Sequence, residues 1–301
     1  MTLFALPADL RAWHDAGRYF AYKGYSIYSR VDGPAGAPAL LLIHGFPTAS
    51  WDWAGVWAAL AQRYRLYTLD LIGFGFSAKP LHYDYRIADQ ADLCEAFLRM
   101  EGVAEYHVLA HDYGDTVAQE LLARQSGAHK GPKLRSVALL NGGLFPETHR
   151  PLFAQRLLAS VAGPMVARLN SRRGFEHNLR VIFGPDTQPS TMLLDSFWEL
   201  LQTHEGARVL PRLIRYMDER RQHRSRWVGA LADATIPLKL IDGVADPISG
   251  AHMAARYREL VPYPDVTELA GIGHYPQCEA PRAVLDAYLA FRDLRTRGSS
   301  A

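Results

Sequence analysis

Three residues stand where this chain could do covalent chemistry: Asp112, Asp246 and His274. Asp112 lies in Ala110-His111-Asp112-Tyr113-Gly114-Asp115, between an apolar strand-like run, Tyr106 to Leu109, and a helix-like run, Thr116 to Leu122. A sharp strand-to-helix turn with small residues around a reactive one presents that side chain clear of the backbone. Ala110 and Gly114 are the small residues here; a large side chain at either would collide where the backbone doubles back. A carboxylate in this position needs no deprotonation at neutral pH and can attack carbon directly, giving an ester. The competing reading of an Asp at such a junction is a helix N-cap, taking up the free N–H groups of the first turn. Companion residues must decide between the two.

They occur in order along the chain. Asp246, in Ala245-Asp246-Pro247, and His274, in Gly273-His274-Tyr275, each follow a predicted late strand. Nucleophile, acid and base then fall in the chain order Asp112, Asp246, His274. In that arrangement His274 withdraws a proton from water, and Asp246 fixes the imidazole tautomer. Glu147 is a rival acid, ranked behind Asp246 because Asp246 follows the strand just before that of the histidine. The apolar run Ala39 to Ile43 ends in His44-Gly45-Phe46-Pro47. The N–H groups of Phe46 and Tyr113 are the expected oxyanion donors, and His44 and His111 are candidate substrate contacts.

The elements that position these residues alternate. A short helix over Pro7–Gly17 precedes two antiparallel strands joined at Lys23-Gly24. Apolar runs Ala39–Ile43, Arg65–Asp70, the elbow strand, Leu134–Leu140, Pro237–Gly243 and Val266–Leu269 read as buried strands. Helices are predicted over Trp51–Leu60, Ile87–Met100 and Pro281–Arg295. The loop Gly73-Phe74-Gly75-Phe76-Ser77 is not a dinucleotide fingerprint, having two glycines of three and no helix start behind them. The fold class is α/β, a doubly wound, mostly parallel sheet with its site at the strand carboxyl ends. Residues 1–143 and 234–301 make the core; 144–233 form an inserted helical cap. The arginine-rich run Glu219 to Arg226 in that cap reads as a solvated helix face.

With 301 residues, of which 49% are hydrophobic, the chain can bury a large core. Its 33 basic and 31 acidic residues give no general affinity for nucleic acid. The two cysteines, Cys94 and Cys278, show neither disulfide nor zinc spacing, and neither metal nor cofactor is expected. The N-terminus lacks the pattern of a signal peptide and no stretch has the length of a membrane span. A cytoplasmic enzyme acting on a small molecule is therefore expected, with no oligomeric state specified.

At these residues the sequence resembles the epoxide hydrolase and haloalkane dehalogenase branch of the α/β-hydrolases, whose elbows commonly read His-Asp-Trp-Gly. It is more similar still to the mesoderm-specific transcript protein family, through His44–Thr48, Gly73–Ser77, His111–Asp115, Phe145–Pro151, Arg226–Leu231 and His274–Gln277. The resemblance implies an α/β-hydrolase fold with a cap and an aspartate nucleophile. Haloalkane dehalogenases hold the halide with an indole beside the nucleophile and an Asn or Trp partner; those positions are Tyr113 and Phe46 here. Epoxide hydrolases protonate the opening oxygen with two cap tyrosines, and this cap has one, Tyr216. Tyr216 is thus a candidate acid that Tyr113 or His149 could assist, and Trp227 a candidate substrate contact. The expected activity is hydrolysis of an apolar electrophile, foremost an epoxide, through an aspartyl ester. The alternatives are a dehalogenase, an ester or lactone hydrolase, and a non-catalytic relative that binds a ligand or partner.

Overall fold

In the computed structural model, which describes residues 6–125 and 129–298, the strand Leu40 to Ile43 is fully buried. Alternate residues of that strand enter two different cores, Leu41 and Ile43 on one face and Leu40 and Leu42 on the other. This is the period of two of a strand covered on both sides. The described residues form β1 (Arg18–Tyr22), β2 (Tyr25–Asp32), β3 (Ala39–Ile43), β4 (Arg65–Leu69), β5 (Glu105–His111), β6 (Lys133–Leu140), β7 (Leu238–Gly243) and β8 (Val266–Leu269). They pair in the order β1-β2-β4-β3-β5-β6-β7-β8. β2 runs antiparallel to β1 and to β4; the other pairs are parallel. Lys23 and Gly24 close the first hairpin with φ of 49° and 81°, the left-handed pair that suits a two-residue turn.

Helices cover both faces. α1 (Ala8–Asp15), α2 (Ala54–Ala61) and α14 (Pro281–Gly298) lie on one side, where Trp13, Trp57 and Tyr288 share a core. α3 (Ile87–Met100) and α4 (Tyr113–Arg124) cover the other. A 3-10 turn, Ser50–Trp53, starts the helix expected from Trp51. α12 (Ala251–Leu260) joins β7 to β8, and α13 (Pro276–Glu279) follows β8; neither was legible from periodicity. Among the described residues no helix is long and apolar enough to cross a membrane.

Between β6 and β7 come α5 (Phe153–Leu158), α6 (Gly163–Arg168), α7 (Arg172–Ile182), α8 (Thr191–Gln202), α9 (Leu210–Leu213), α10 (Tyr216–Gln222) and α11 (Arg224–Ala232). Polar contacts tie this insertion to the core. Glu120 on α4 accepts from Trp227 Nε1 at 2.8 Å and Arg226 Nε at 2.7 Å. The Glu219 carboxylate accepts the Ile87 N–H at 3.2 Å, at the positive end of α3. Lys79, in the loop after β4, donates to the carbonyls of Leu200 at 2.8 Å and Thr203 at 2.6 Å, closing the end of α8.

Burial pushes the Lys79 ammonium down from 10.5 to about 7. The unfolded chain keeps this proton to a higher pH than the folded one, so the residue's contribution to stability grows as pH rises between those values. Wild type should therefore gain on a Lys79→Met variant from pH 7 to 10, by up to ~1.4 kcal/mol per pH unit. Urea denaturation of both proteins across that range measures it; a constant difference would contradict the assignment.

Candidate active site

The order of the sheet reverses where β3 meets β5, since β4 lies on the far side of β3. Loops that leave two such strands diverge and open a crevice at their carboxyl ends. Phe46 leaves β3 and Asp112 leaves β5 into this crevice. Asp112 has φ 45° and ψ −102°, a strained conformation for a residue with a Cβ. A Cβ on Gly114 would run into the carbonyls of Ile43 and His44, so the turn needs glycine there. Asp112 occupies the N-cap position of α4 but makes no capping bond from its side chain. Its Oδ2 instead accepts the N–H of Phe46 at 3.1 Å. The N-cap alternative is thereby set aside.

His274 enters from the loop after β8. Its Nδ1 donates to Asp246 Oδ2 at 2.7 Å, leaving Nε2 3.9 Å from Asp112 Oδ2. Asp246 is held in turn by the Ile248 N–H at 2.8 Å, Ser249 Oγ at 2.8 Å and Asn141 Nδ2 at 3.1 Å. Asn141 ends β6 with φ 44°. Neither Asn141 nor Ser249 was singled out from the sequence, although an Asn closing a buried strand is a residue type that tolerates this backbone. Tyr113 is the first residue of α4, so its N–H has no acceptor within the helix. A cavity of about 380 Å³ reaches this cluster and is bounded at its inner end by Phe46, Ile248 and His274. Leu152, Leu158, Phe175 and Leu179 are among its walls.

A family model described as alpha/beta hydrolase fold matches residues 38–281. The chain belongs to the alpha/beta hydrolase family. It is 42% identical over 296 residues to the mesoderm-specific transcript homolog protein of Homo sapiens, covering 95% of this chain and 88% of the human one. LipZ of Mycobacterium tuberculosis is 38% identical over 284 residues, 94% of this chain and 97% of that one. The solved haloalkane dehalogenase DbeA from Bradyrhizobium elkani has a TM-score of 0.78 at 23% identity, covering 95% and 99% of the two chains; it shares the fold.

The helical insertion of this alpha/beta hydrolase contributes a charge that is not legible in the sequence. Arg220 belongs to the run taken for a solvated face, yet it is 2% exposed and turned inward. Its Nη2 donates to the Asp112 carbonyl at 3.1 Å and lies 3.6 Å from Asp112 Oδ1, while Nε donates to Thr116 Oγ1 at 2.7 Å. Its neighbours Arg221, Gln222 and Arg226 do face solvent, whereas Glu219 and Arg224 are half-buried and Arg220 alone of the run is fully buried. A 3.6-residue period allows this: one position in four faces the core even in a polar helix.

Burial alone would raise the Asp112 carboxyl, but His274 and then Arg220 outweigh it and hold the group well below the carboxylate range. His274 is displaced the opposite way: burial lowers it, and Asp246 and Asp112 together lift it above an ordinary imidazole. Tyr216, fully buried one helical turn before Arg220, packs against Phe46 and Tyr113 with ring centroids 6.0 and 4.9 Å away. Among the described residues its hydroxyl makes no well-formed hydrogen bond, although the Arg220 guanidinium is close enough to favour the phenolate; burial, followed by the Asp112 charge, raises it above the usual phenol value. His149 is unpartnered at both nitrogens and neutral, pushed to about 3 by burial and by Arg220.

Other expected contacts lie elsewhere. Both nitrogens of His44 are spent on backbone, with Gly45 O at 2.9 Å and the Leu71 N–H at 3.0 Å, so it braces loops. His111 Nε2 donates to the His274 carbonyl at 2.7 Å and positions that loop. Trp227 packs on α4 through Glu120, outside the cavity wall, which corrects its assignment to substrate. Glu147 pairs with Arg224 at 2.5 Å and Arg256 at 3.2 Å, and Asp246 takes the position beside His274. Tyr113 points its hydroxyl at the Tyr85 carbonyl, 3.5 Å away.

Removing one member of a buried ion pair strands the other. Arg220→Met should cost about 3–5 kcal/mol in urea denaturation, and adding Asp112→Asn should recover a large part of it. Additive losses would show that the two side chains are not coupled.

Proposed function

We propose that this hydrolase opens an apolar epoxide through a covalent ester on Asp112. The observation that carries the proposal is the company Asp112 keeps: a carboxylate that makes no capping bond from its side chain, faces His274, and bears by its charge on the buried Tyr216 hydroxyl. In the first step Asp112 Oδ1 attacks a ring carbon while Oδ2 stays on the Phe46 N–H. The ring C–O bond breaks and its oxygen takes the proton of Tyr216. The guanidinium of Arg220, 4.4 Å from the centre of the Tyr216 ring, favours the phenolate that results.

Esterification neutralises Asp112 and removes one of the two anions that hold a proton on His274. The imidazolium gives that proton to the Tyr216 phenolate, which restores the phenol and leaves His274 a neutral base. His274 Nε2 takes a proton from water, whose oxygen attacks the Asp112 carbonyl carbon. The oxyanion forms opposite the N–H groups of Phe46 and Tyr113 and collapses with cleavage of the alkyl C–O bond to Asp112; the acid proton passes to the departing alkoxide, which releases the diol and restores the Asp112 carboxylate. Asp246 keeps the tautomer and balances the imidazolium.

One observation favours a second reading, dehalogenation: a buried cation beside the nucleophile would also receive a halide, and Arg220 Nη1 has no partner in the protein. Intact-mass analysis of a His274→Gln variant, incubated with epoxides, haloalkanes, esters and lactones, separates the two. An adduct on the Asp112 peptide from an epoxide, diminished about tenfold or more in formation rate by Tyr216→Phe, is the expected result. An adduct from a haloalkane alone would transfer the site to dehalogenation. Full turnover by Asp112→Asn would sink the nucleophile assignment altogether.

A further inference from the structure

The outermost cap helices carry a surface that this chemistry does not use. Phe153, Leu157, Val161, Met165 and Leu169 recur at every fourth position through α5, the turn that follows and α6. All five are exposed, Val161 completely and Phe153 to 79%. Scattered apolar residues at a surface need no explanation, whereas five within one short stretch mark a contact surface. Leu157 and Leu169 also belong to the wall of the cavity that ends at His274, so this surface rims the cavity's mouth.

Its charge is one-sided. Between positions 150 and 182 there are six arginines and a single carboxylate, Glu176. Arg172 pairs with Glu176 and Asp195. Arg156, Arg168 and Arg173 are exposed and form no ion pair among the described residues. Apolar side chains flanked by arginines on short helices are the composition of a segment that lies in a membrane interface. Two like-charged rims would repel each other, which disfavours a second copy of the chain as the occupant.

We propose that the rim formed by α5 and α6 docks on an anionic lipid surface, with Val161 and Met165 entering the acyl boundary and Arg156, Arg168 and Arg173 meeting the headgroup charges. The cavity mouth would then open onto lipid, and an apolar substrate would reach His274 without crossing water. That last consequence rests on the function proposed above; docking itself does not depend on the identity of the nucleophile.

Sedimentation of the full chain with vesicles tests docking without any turnover. Phosphatidylcholine vesicles are compared with vesicles of equal parts phosphatidylcholine and phosphatidylglycerol. The protein should partition onto the anionic vesicles and leave them as salt is raised. Changing Arg156, Arg168 and Arg173 together to Gln should lower the partition coefficient by roughly two orders of magnitude. Val161→Ser with Met165→Ser should lower it by about tenfold or more. Met100→Ser, an exposed apolar residue on α3, should leave it unchanged. All these positions are exposed, and circular dichroism confirms folding of each variant. Absence of binding, equal binding to both vesicle types, or indifference to the arginines would overturn the proposal. A dimer in light scattering that Val161→Ser abolishes would replace lipid with a second copy of the chain.

Discussion

A carboxylate taken out of water must be met by donors or cations, or it takes a proton. Asp112 is met from three directions: by the Phe46 N–H, by His274, and by Arg220 from the cap. Each requirement fixes a different part of the molecule. The Phe46 contact needs β3 and β5 side by side, which the crossing of β4 provides. The His274 contact needs the β8 loop pinned, and His111 and the Ile182 carbonyl hold the His274 peptide from either side. The Arg220 contact needs α10 of the insertion packed against the start of α4. A strained backbone at Asp112 is tolerable because these contacts over-determine its position.

The fold was legible because its signals are local. Continuous apolar runs ending in glycine or aspartate place strands and their carboxyl ends, and Lys23-Gly24 places a hairpin, with no tertiary knowledge. The acid and base were legible by chain order against predicted strands. What escaped was set by packing between distant segments. Arg220 looks like its neighbours in the sequence, and only the docking of α10 on α4 turns it inward. His44 and Trp227 were drawn into the site by proximity in sequence to motif residues, yet their polar atoms are claimed by Gly45, Leu71 and Glu120. Asn141 lies just past the strand read over Leu134–Leu140, and only the fold brings its amide to Asp246.

The cap and the core share buried polar contacts rather than a wholly apolar seam. Lys79 satisfies carbonyls at the end of α8, Glu219 satisfies the first turn of α3, and Glu120 gathers Arg124, Arg226 and Trp227. Such contacts specify one register of the insertion on the core, because a shifted cap leaves several buried groups unmatched at once.

Tyr216 and Arg220 lie four residues apart on one helix, and this divides the insertion into parts with different freedom to change. A single residue added before α10 would rotate it by about 100° and carry both side chains away from Asp112 together. α5 and α6 bear no such constraint: they wall the cavity and meet solvent, whereas α7 ends at Ile182, whose carbonyl accepts the His274 N–H. New substrate preferences could therefore be drawn from α5 and α6 by exchange or lengthening of these helices, with the reacting groups left as they are. The architecture separates what is recognised from what is done to it, and an engineer would find the boundary between α6 and α7.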